Sequence, residues 1–422
     1  MTNKNHKSFA TVLLALATVL SLLTTSCERK ELWLPSKQAN IDIAIYDIDL
    51  ELYFGIDWRY EWQYDWPEED PDYGPIGYSE PYGVQATIYN LDGINGARRS
   101  PFTKHMTING RNQVSLNAAN WYDMLFYNYD YEYILTDYDE GSYTYYNMTT
   151  RATGANSRSF FPSTRDGQTT VPDSVKAYST YNQPDEMFGI FLRDLYVSED
   201  PEDYEETIDD SGNTVYIYRI DATLEPYTFI YLIQPVIINN YIDTDDPVNP
   251  DPSARIRSIS GLSITGLAQG VELYTRKDWK NAISIVSEDI KPMQVHKQFR
   301  FSDGTVQDAD VCAARVLTWG LPGIDPLEAR RVLNETGVAP ENPEGNWIGL
   351  NLVLRGGKTY PVAVNISDQI ANHPTGGIIT VVINAGDIDR AIIDEKANPS
   401  SGGGFNASVD NWENEVVGEV TI

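Results

Sequence analysis

The chain has 422 residues, with 61 Asp and Glu against 31 Lys and Arg, so its formal charge is −30. Nucleic-acid binding needs a basic stripe that displaces counterions from phosphates, and this charge balance excludes it. The same charge repels anionic headgroups, so a hold on a membrane has to come from buried acyl or apolar groups rather than from the protein surface.

The chain opens with Lys4 and Lys7, an apolar stretch from Phe9 to Leu23, and the small residues Thr24, Thr25 and Ser26, which is the three-part order of an export signal. The stretch is shorter than the roughly 20 residues that cross a bilayer, and no later run matches it. Cys27 follows directly. The segment resembles the signal of a bacterial lipoprotein, which implies cleavage between Ser26 and Cys27, a diacylglycerol on the Cys27 sulfur and an acyl chain on its amine. Leucine is usual three residues before such a cysteine, whereas here Leu23 lies four before it and Thr24 takes that place. The alternative is a conventionally cleaved signal that leaves Cys27 as a plain thiol. With Cys27 acylated, Cys312 is the one thiol left, so no intrachain disulfide forms in an exported protein where one is permitted. Removing residues 1–26 takes two lysines and no acid, leaving −32 over 396 residues, with 27–38 as the tether.

A body of this length predicts two domains, 39–225 and 226–422, with the boundary near Glu225 and Pro226. Strand patterns fill both. Ile41, Ile43 and Ile45 share one parity and Ile48, Leu50, Leu52 and Phe54 the other, which predicts a bulge around Tyr46 and Asp47. The stretch "EWQYDWPEEDPDYGPIGYSEPYG", residues 61–83, carries too many prolines and glycines for a ladder. From Leu125 to Leu135 a period of two through Tyr127, Tyr129, Tyr131 and Tyr133 predicts one half-buried strand. Residues 199–210 hold eight carboxylates and no base, which predicts an extended, solvated loop, as does the acidic "DTDDPVNPDP" at 243–252. Met293, Val295, Phe299 and Phe301 alternate with polar neighbours, and the run from Ile378 to Ile383 predicts a strand covered on both faces. One short helix is expected, "DPLEARRVLNETG", with Asp325 as N-cap, Pro326 at the first helical position, Glu328 closing a capping box and Gly337 as the stop.

Chemistry is sparse. Of the four histidines, His6 leaves with the signal, His105 and His296 fall on the polar parity of strands, and His373 lies in a loop, so no metal set is expected. Cys312 shares parity with Ala314 and Val316, which points it into a core rather than toward a substrate. "GGKT" at 356–359 lacks the glycine a phosphate loop needs; a three-residue loop of Arg355, Gly356 and Gly357 instead sets Leu352, Leu350 and Ile348 opposite Tyr360, Val362 and Val364. "DYDEG" at 137–141 and "DTDD" at 243–246 have oxygen-rich spacing without a complete calcium loop. No catalytic residue and no cofactor are therefore expected. Trp62, Trp66 and the ladder Tyr127, Tyr129, Tyr131 and Tyr133 are candidates for stacking on sugars, or are core-facing strand residues with a polar tip.

The order of five stretches carries a wider resemblance: "ANIDIAI" at 39–45, "PDEMFG" at 184–189, "TLEPYTFIYLIQPV" at 223–236, "SGLSITGLAQGVEL" at 260–273 and the closing "GGGFNASVDNWENEVVGEVTI". Together they resemble the fimbrillin-like lipoproteins of type V pili, the anchor and accessory subunits, and especially a related outer-membrane lipoprotein family of unassigned function. The resemblance implies an all-β protein of two transthyretin-like Greek-key sandwiches. It also implies a surface position on the outer membrane through N-terminal acyl chains, and fimbrial subunits as partners by strand addition. A lipid-tethered glycan-binding protein is the alternative. The chain ends in an alternating strand pattern, Val416, Gly418, Val420 and Ile422, which either completes its own domain or pairs with a neighbour.

Overall fold

The computed structural model describes residues 42–52, 62–91, 101–137, 147–150, 178–241, 254–278, 281–340 and 345–396. The signal, Cys27, the tether 27–38, the "DTDDPVNPDP" loop, all but the first residue of "DYDEG", and the terminal strand pattern lie outside them. Strands β1 (Ile43–Leu52), β2 (Val84–Asn90), β3 (Phe102–Met106), β4 (Asn112–Asn117) and β5 (Asn120–Asn128) come first. They are followed by β6 (Ile134–Asp137), β7 (Asn147–Thr150), β8 (Thr180–Asn182), β9 (Phe188–Val197), β10 (Glu205–Ile208) and β11 (Thr214–Pro226). Next are β12 (Phe229–Ile238), β13 (Ile256–Ala268), β14 (Gly270–Glu272), β15 (Ala282–Ser287), β16 (Ile290–Arg300) and β17 (Val306–Thr318). Helix α1 (Pro326–Thr336) precedes β18 (Trp347–Leu354) and β19 (Thr359–Asn365), and α2 (Ser367–Asn372), β20 (Gly377–Asn384) and α3 (Arg390–Ile393) close the order.

The described residues fall in two compact units. The smaller holds residues 42–47, 113–120 and 196–219. In it Ala44, Tyr46, Val114, Leu116, Val197 and Ile217 are buried, and the Tyr218 ring lies 5.2 Å from that of Tyr46. The acidic stretch 199–210 is here a hairpin arm rather than a solvated loop. Pro201–Asp203 makes one 3-10 turn capped by Asp200, and β10 pairs with β11 from Glu205 opposite Ile217 to Ile208 opposite Thr214. Asp209 closes the turn by accepting from the amides of Ser211 and Asn213, bonds that hold its carboxyl below the usual range. Charge repulsion is bearable because the carboxylates stand in water, while the backbone bonds are local.

In the larger unit two sheets enclose the main core. One has the order β16-β17-β12-β20, the other β19-β18-β13-β15-β8. Tyr231, Ile233 and Ile237 of β12, and Cys312, Ala314 and Val316 of β17, meet Leu262, Ile264, Ile285, Leu350 and Leu352 from the facing sheet. This is the sandwich arrangement in which alternate residues of each strand point inward. A three-stranded sheet, β14-β7-β6, and the succession β3-β2-β5-β9-β11 complete the unit.

In the 355–357 hairpin Leu352 stands opposite Tyr360, Leu350 opposite Val362 and Ile348 opposite Val364, and Gly357 takes a φ of 86°. Helix α1 starts at Asp325, which accepts from the amides of Leu327 and Glu328, and stops at Gly337 in the left-handed region, with φ 71°. The capping box does not form, because Glu328 bonds Arg331 instead of reaching back. α2 and α3 are further helices; their four to six residues are too short for a periodic signal.

Four strand expectations are corrected. β1 needs no bulge at Tyr46 and Asp47: Ala44, Tyr46, Ile48 and Leu50 are buried on one parity, and Ile43 is left 54% exposed. The apparent shift arose from counting every isoleucine as inward, whereas burial follows Ala44 and Tyr46. The ladder from Leu125 to Leu135 is not one strand. β5 ends at Asn128, residues 129–133 turn, and β6 starts at Ile134. Within β5 both faces are covered, from Tyr122 to Asn128. The alternation in β16 is broken by two register shifts, between Lys291 and Gln294 and between Gln294 and Lys297, which leave Val295 exposed and bury Lys291. β20 is an edge strand, paired in parallel with β12, and Val382 is 45% exposed, so both faces are covered only at its start.

Candidate functional site

The aromatic-acidic stretch forms no ladder, as its prolines require, and packs instead on the outer face of β12, β16 and β17. Trp62, Tyr64, Trp66 and Tyr73 lie against Val236, Phe299, Val311 and Ala313, while Ile76 and Tyr78 lie against Ile230, Leu232 and Leu317. The even-numbered side chains of β12 are thereby buried as fully as the odd ones, which is why its sequence is an unbroken apolar run. Lys291 locks this clasp. Its ammonium donates to Asp289 Oδ1 at 2.8 Å and to the carbonyl of Asp72, and lies 5.3 Å and 5.2 Å from the ring centres of Trp66 and Tyr73. Tyr64 donates to the carbonyl of Pro292 and Tyr78 to that of Thr228, and burial raises both phenols above their ordinary range. Trp62 and Trp66 are partly buried in this layer, with the indole N–H of Trp66 donating to the carbonyl of Gly74.

The tyrosine ladder lies elsewhere, and its members separate. Tyr127 is buried in a cluster with Leu125, Tyr227 and Trp319, and its hydroxyl is bonded to Gln85. Tyr131 packs partly buried on the same cluster, and Tyr129 stands edge-on to His105 at 4.7 Å. Tyr133 alone keeps an exposed ring, at 40%. The structure does not bring the tryptophans and tyrosines into one stacking platform.

Tyr133 borders a cleft of about 430 Å³, lined also by Asn182, Gln183, Asp185, Ser287 and Glu288. The walls are tied together. Asp185 Oδ2 accepts from the amides of Glu132 and Tyr133, which fixes the 129–133 turn. Asn128 donates to Asp130 and to the carbonyl of Glu186, and accepts from the amide of Phe188. Glu186 pairs with Arg315, which also donates to the carbonyl of Gly77. Desolvation raises the Glu186 carboxyl, and the Arg315 charge opposes that rise. Gln183 Oε1 accepts from the amide of Leu317. The one signal for this site in the sequence is "PDEMFG" itself, which carries two of these carboxylates without showing what they bind.

A second acidic feature is fully buried. Both oxygens of Asp278 lack a hydrogen-bond partner, and its carboxylate sits against Gly320, where an added Cβ would lie 2.5 Å from Oδ2. Desolvation first, then the charge of Asp325, push its carboxyl well above the usual range, opposed by Arg276. Among the described residues no three His, Cys, Asp or Glu side chains are grouped to hold a metal, and no helix is long and apolar enough to cross a membrane. Burial pushes the Cys312 thiol up to about 12, which leaves it unreactive.

Fold and surface together define an all-β protein of packed sheets with an aromatic clasp on one face and a polar cleft. No protein-family model matches the chain, and no curated protein matches it. Among solved structures it is similar to a provisionally assigned adhesin from Bacteroides ovatus, at 12% identity over 81% of this chain and 93% of that one, with a TM-score of 0.41. It is similar to the fimbrial anchor protein Mfa2 from Porphyromonas gingivalis, at 10% identity over 80% and 91%, with a TM-score of 0.31. A provisionally assigned cell adhesion protein from Bacteroides eggerthii matches at 10% identity over 86% and 94%, with a TM-score of 0.34.

Proposed function

We propose that the chain is a lipid-anchored surface protein of the outer membrane that serves adhesion as an anchor or accessory subunit of a fimbria-like assembly. The observation that carries this reading is the junction at Cys27, where an export signal ends in a cysteine ahead of an all-β body with no other thiol than a buried one. The ordered sequence resemblance supplies the assembly. A structural feature supports the anchor role over a polymerising one. Both edges of the β16-β17-β12-β20 sheet are engaged by glutamine amides that mimic a neighbouring strand. Gln63 exchanges two bonds with the backbone of Arg300 on β16, and Gln369 does the same with Thr380 on β20. Edges capped in this way resist lateral strand addition. The division at Glu225 and Pro226 belongs to the same proposal, as a boundary across which sheets are shared rather than one between independently folding halves.

Membrane fractionation of Cys27→Ala tests it. The variant is expected to leave the membrane fraction and to lose labelling by a fatty-acid probe, because stable anchoring takes more than one buried chain. Membrane association unchanged from the parent overturns the lipid anchor. Crosslinking on intact cells, followed by purification of the chain, then identifies whether the attached proteins are fimbrial subunits.

A further inference from the structure

The cleft beside Tyr133 is polar, yet it is not a trap for cations. Asp185 is bonded to two backbone amides, Glu186 is paired with Arg315 and accepts from the amide of Ser79, and Asp289 is paired with Lys291. Glu288 alone presents an unshared carboxylate at the rim. Deeper in, Ser287 is 5% exposed and its hydroxyl has no hydrogen-bond partner. Ser287 continues the inward parity of Ile283 and Ile285 on β15, so a hydroxyl occupies a position where the strand otherwise carries aliphatic side chains. A buried hydroxyl left unbonded is unfavourable, a cost that an incoming hydroxyl group offsets. Beside it Asn182 and Gln183 line the cleft, the Gln183 oxygen being held by the amide of Leu317. The 129–133 turn, fixed by Asp185, holds the Tyr133 ring at the border.

We infer that this cleft binds an uncharged sugar residue of a glycan. A flat ring for the apolar face of a pyranose, amides and a carboxylate for its hydroxyls, and a buried hydroxyl awaiting a partner form a complementary set. The volume of about 430 Å³ is in the range of small-ligand sites and suits one or two sugar units. The carboxylates of Asp185 and Glu288, which have no cationic partner, disfavour uronic and sialic acids by like-charge repulsion. The site differs from a platform made of all the surface aromatics: of those it uses Tyr133, and the rest of its groups come from the 182–186 and 287–288 segments. It holds whether or not the chain joins a fimbria.

The test is calorimetric titration of the full chain, in a non-ionic detergent without a sugar headgroup, with neutral di- and tetrasaccharides of glucose, galactose and mannose. Sialyllactose and a lysine-rich peptide are the charged probes. Saturable binding of a neutral saccharide is expected, weakened about tenfold in Tyr133→Ala through loss of the stacking face. Ser287→Ala is expected to weaken it by a similar factor. The half-exposed Tyr133 makes its variant foldable, so the site remains testable even where Ser287→Ala is unstable. Absence of saturable binding by every neutral saccharide, equal binding by Tyr133→Ala, or preference for sialyllactose or the peptide overturns the inference.

Discussion

Asp278 shows how one residue can set a pH dependence. Its carboxyl is buried without a hydrogen bond, between the β14–β15 connection and the start of α1, and it faces the half-buried Asp325 and the guanidinium of Arg276, with the Tyr231 phenol within electrostatic reach. Its folded pKa is raised above the unfolded value of about 3.9, so its contribution to stability is fully present below that value and is lost as pH rises through the folded pKa. Asp278→Asn removes the cost of ionisation and keeps the shape. We expect the variant to be more stable than the parent at pH 7 by about 1–3 kcal/mol, with the difference vanishing toward pH 4, as read from denaturant unfolding across that interval. A variant less stable at pH 7 would show that Asp278 is held ionised by a partner.

At the scale of elements, the clasp of residues 62–83 covers what would otherwise be an exposed apolar sheet face and an open edge. Besides the Gln63 pair, Gln294 of β16 exchanges two bonds with the backbone of Asp65, so the edge strand and the loop satisfy each other. Lys291→Ala removes the ammonium that ties Asp72, Trp66 and Tyr73 to β16. It is expected to cost about 2 kcal/mol and to speed chymotrypsin cleavage within 62–83, mapped by mass spectrometry, with cleavage elsewhere unchanged. The alternating pattern of Val416, Gly418, Val420 and Ile422 also has a consequence. If this pattern forms a strand, leaving it unpaired invites aggregation, and the proposed anchor role does not call for donating it. Truncation after Asn414 is therefore expected to give a destabilised or insoluble chain. A monomer with the parent's melting temperature would assign the segment to a neighbouring subunit.

For the whole molecule, residues on either side of Pro226 share sheets in the larger unit. β8 extends the β15 edge in parallel, from Thr180 opposite Ser284 to Asn182 opposite Val286, and β7 pairs with β14. The clasp of 62–83 shields Ile230, Leu232 and Val236 of β12. The proposed halves 39–225 and 226–422 are thus a demanding test of independence. Expressed alone, 226–422 lacks β7, β8 and the clasp, and is expected to melt less cooperatively than the full chain and to self-associate in sedimentation. Cooperative unfolding of a monomeric 226–422 would establish a self-sufficient domain there.

What the sequence alone determined is what neighbours along the chain decide. Asp325, Pro326 and Gly337 mark the ends of α1 because caps act over three or four residues, and the Arg355–Gly357 loop sets its register because only one loop length matches the two apolar faces. Cys312 points inward for the same reason of parity. Tertiary structure decided which faces are covered and by what. A period of two reports that a side is buried, not which distant segment buries it, and Gln63 reaches Gln234 across 171 positions of sequence. The tyrosines from Tyr127 to Tyr133 look alike in sequence, yet Tyr127 is core and Tyr133 borders a cleft, because the turn after Asn128 is held by Asp185, more than fifty positions away. Ser287 reads as one small polar residue at a strand end. Only the packed sheets make it a buried hydroxyl without a partner, since its burial is set by strands that no local pattern can name.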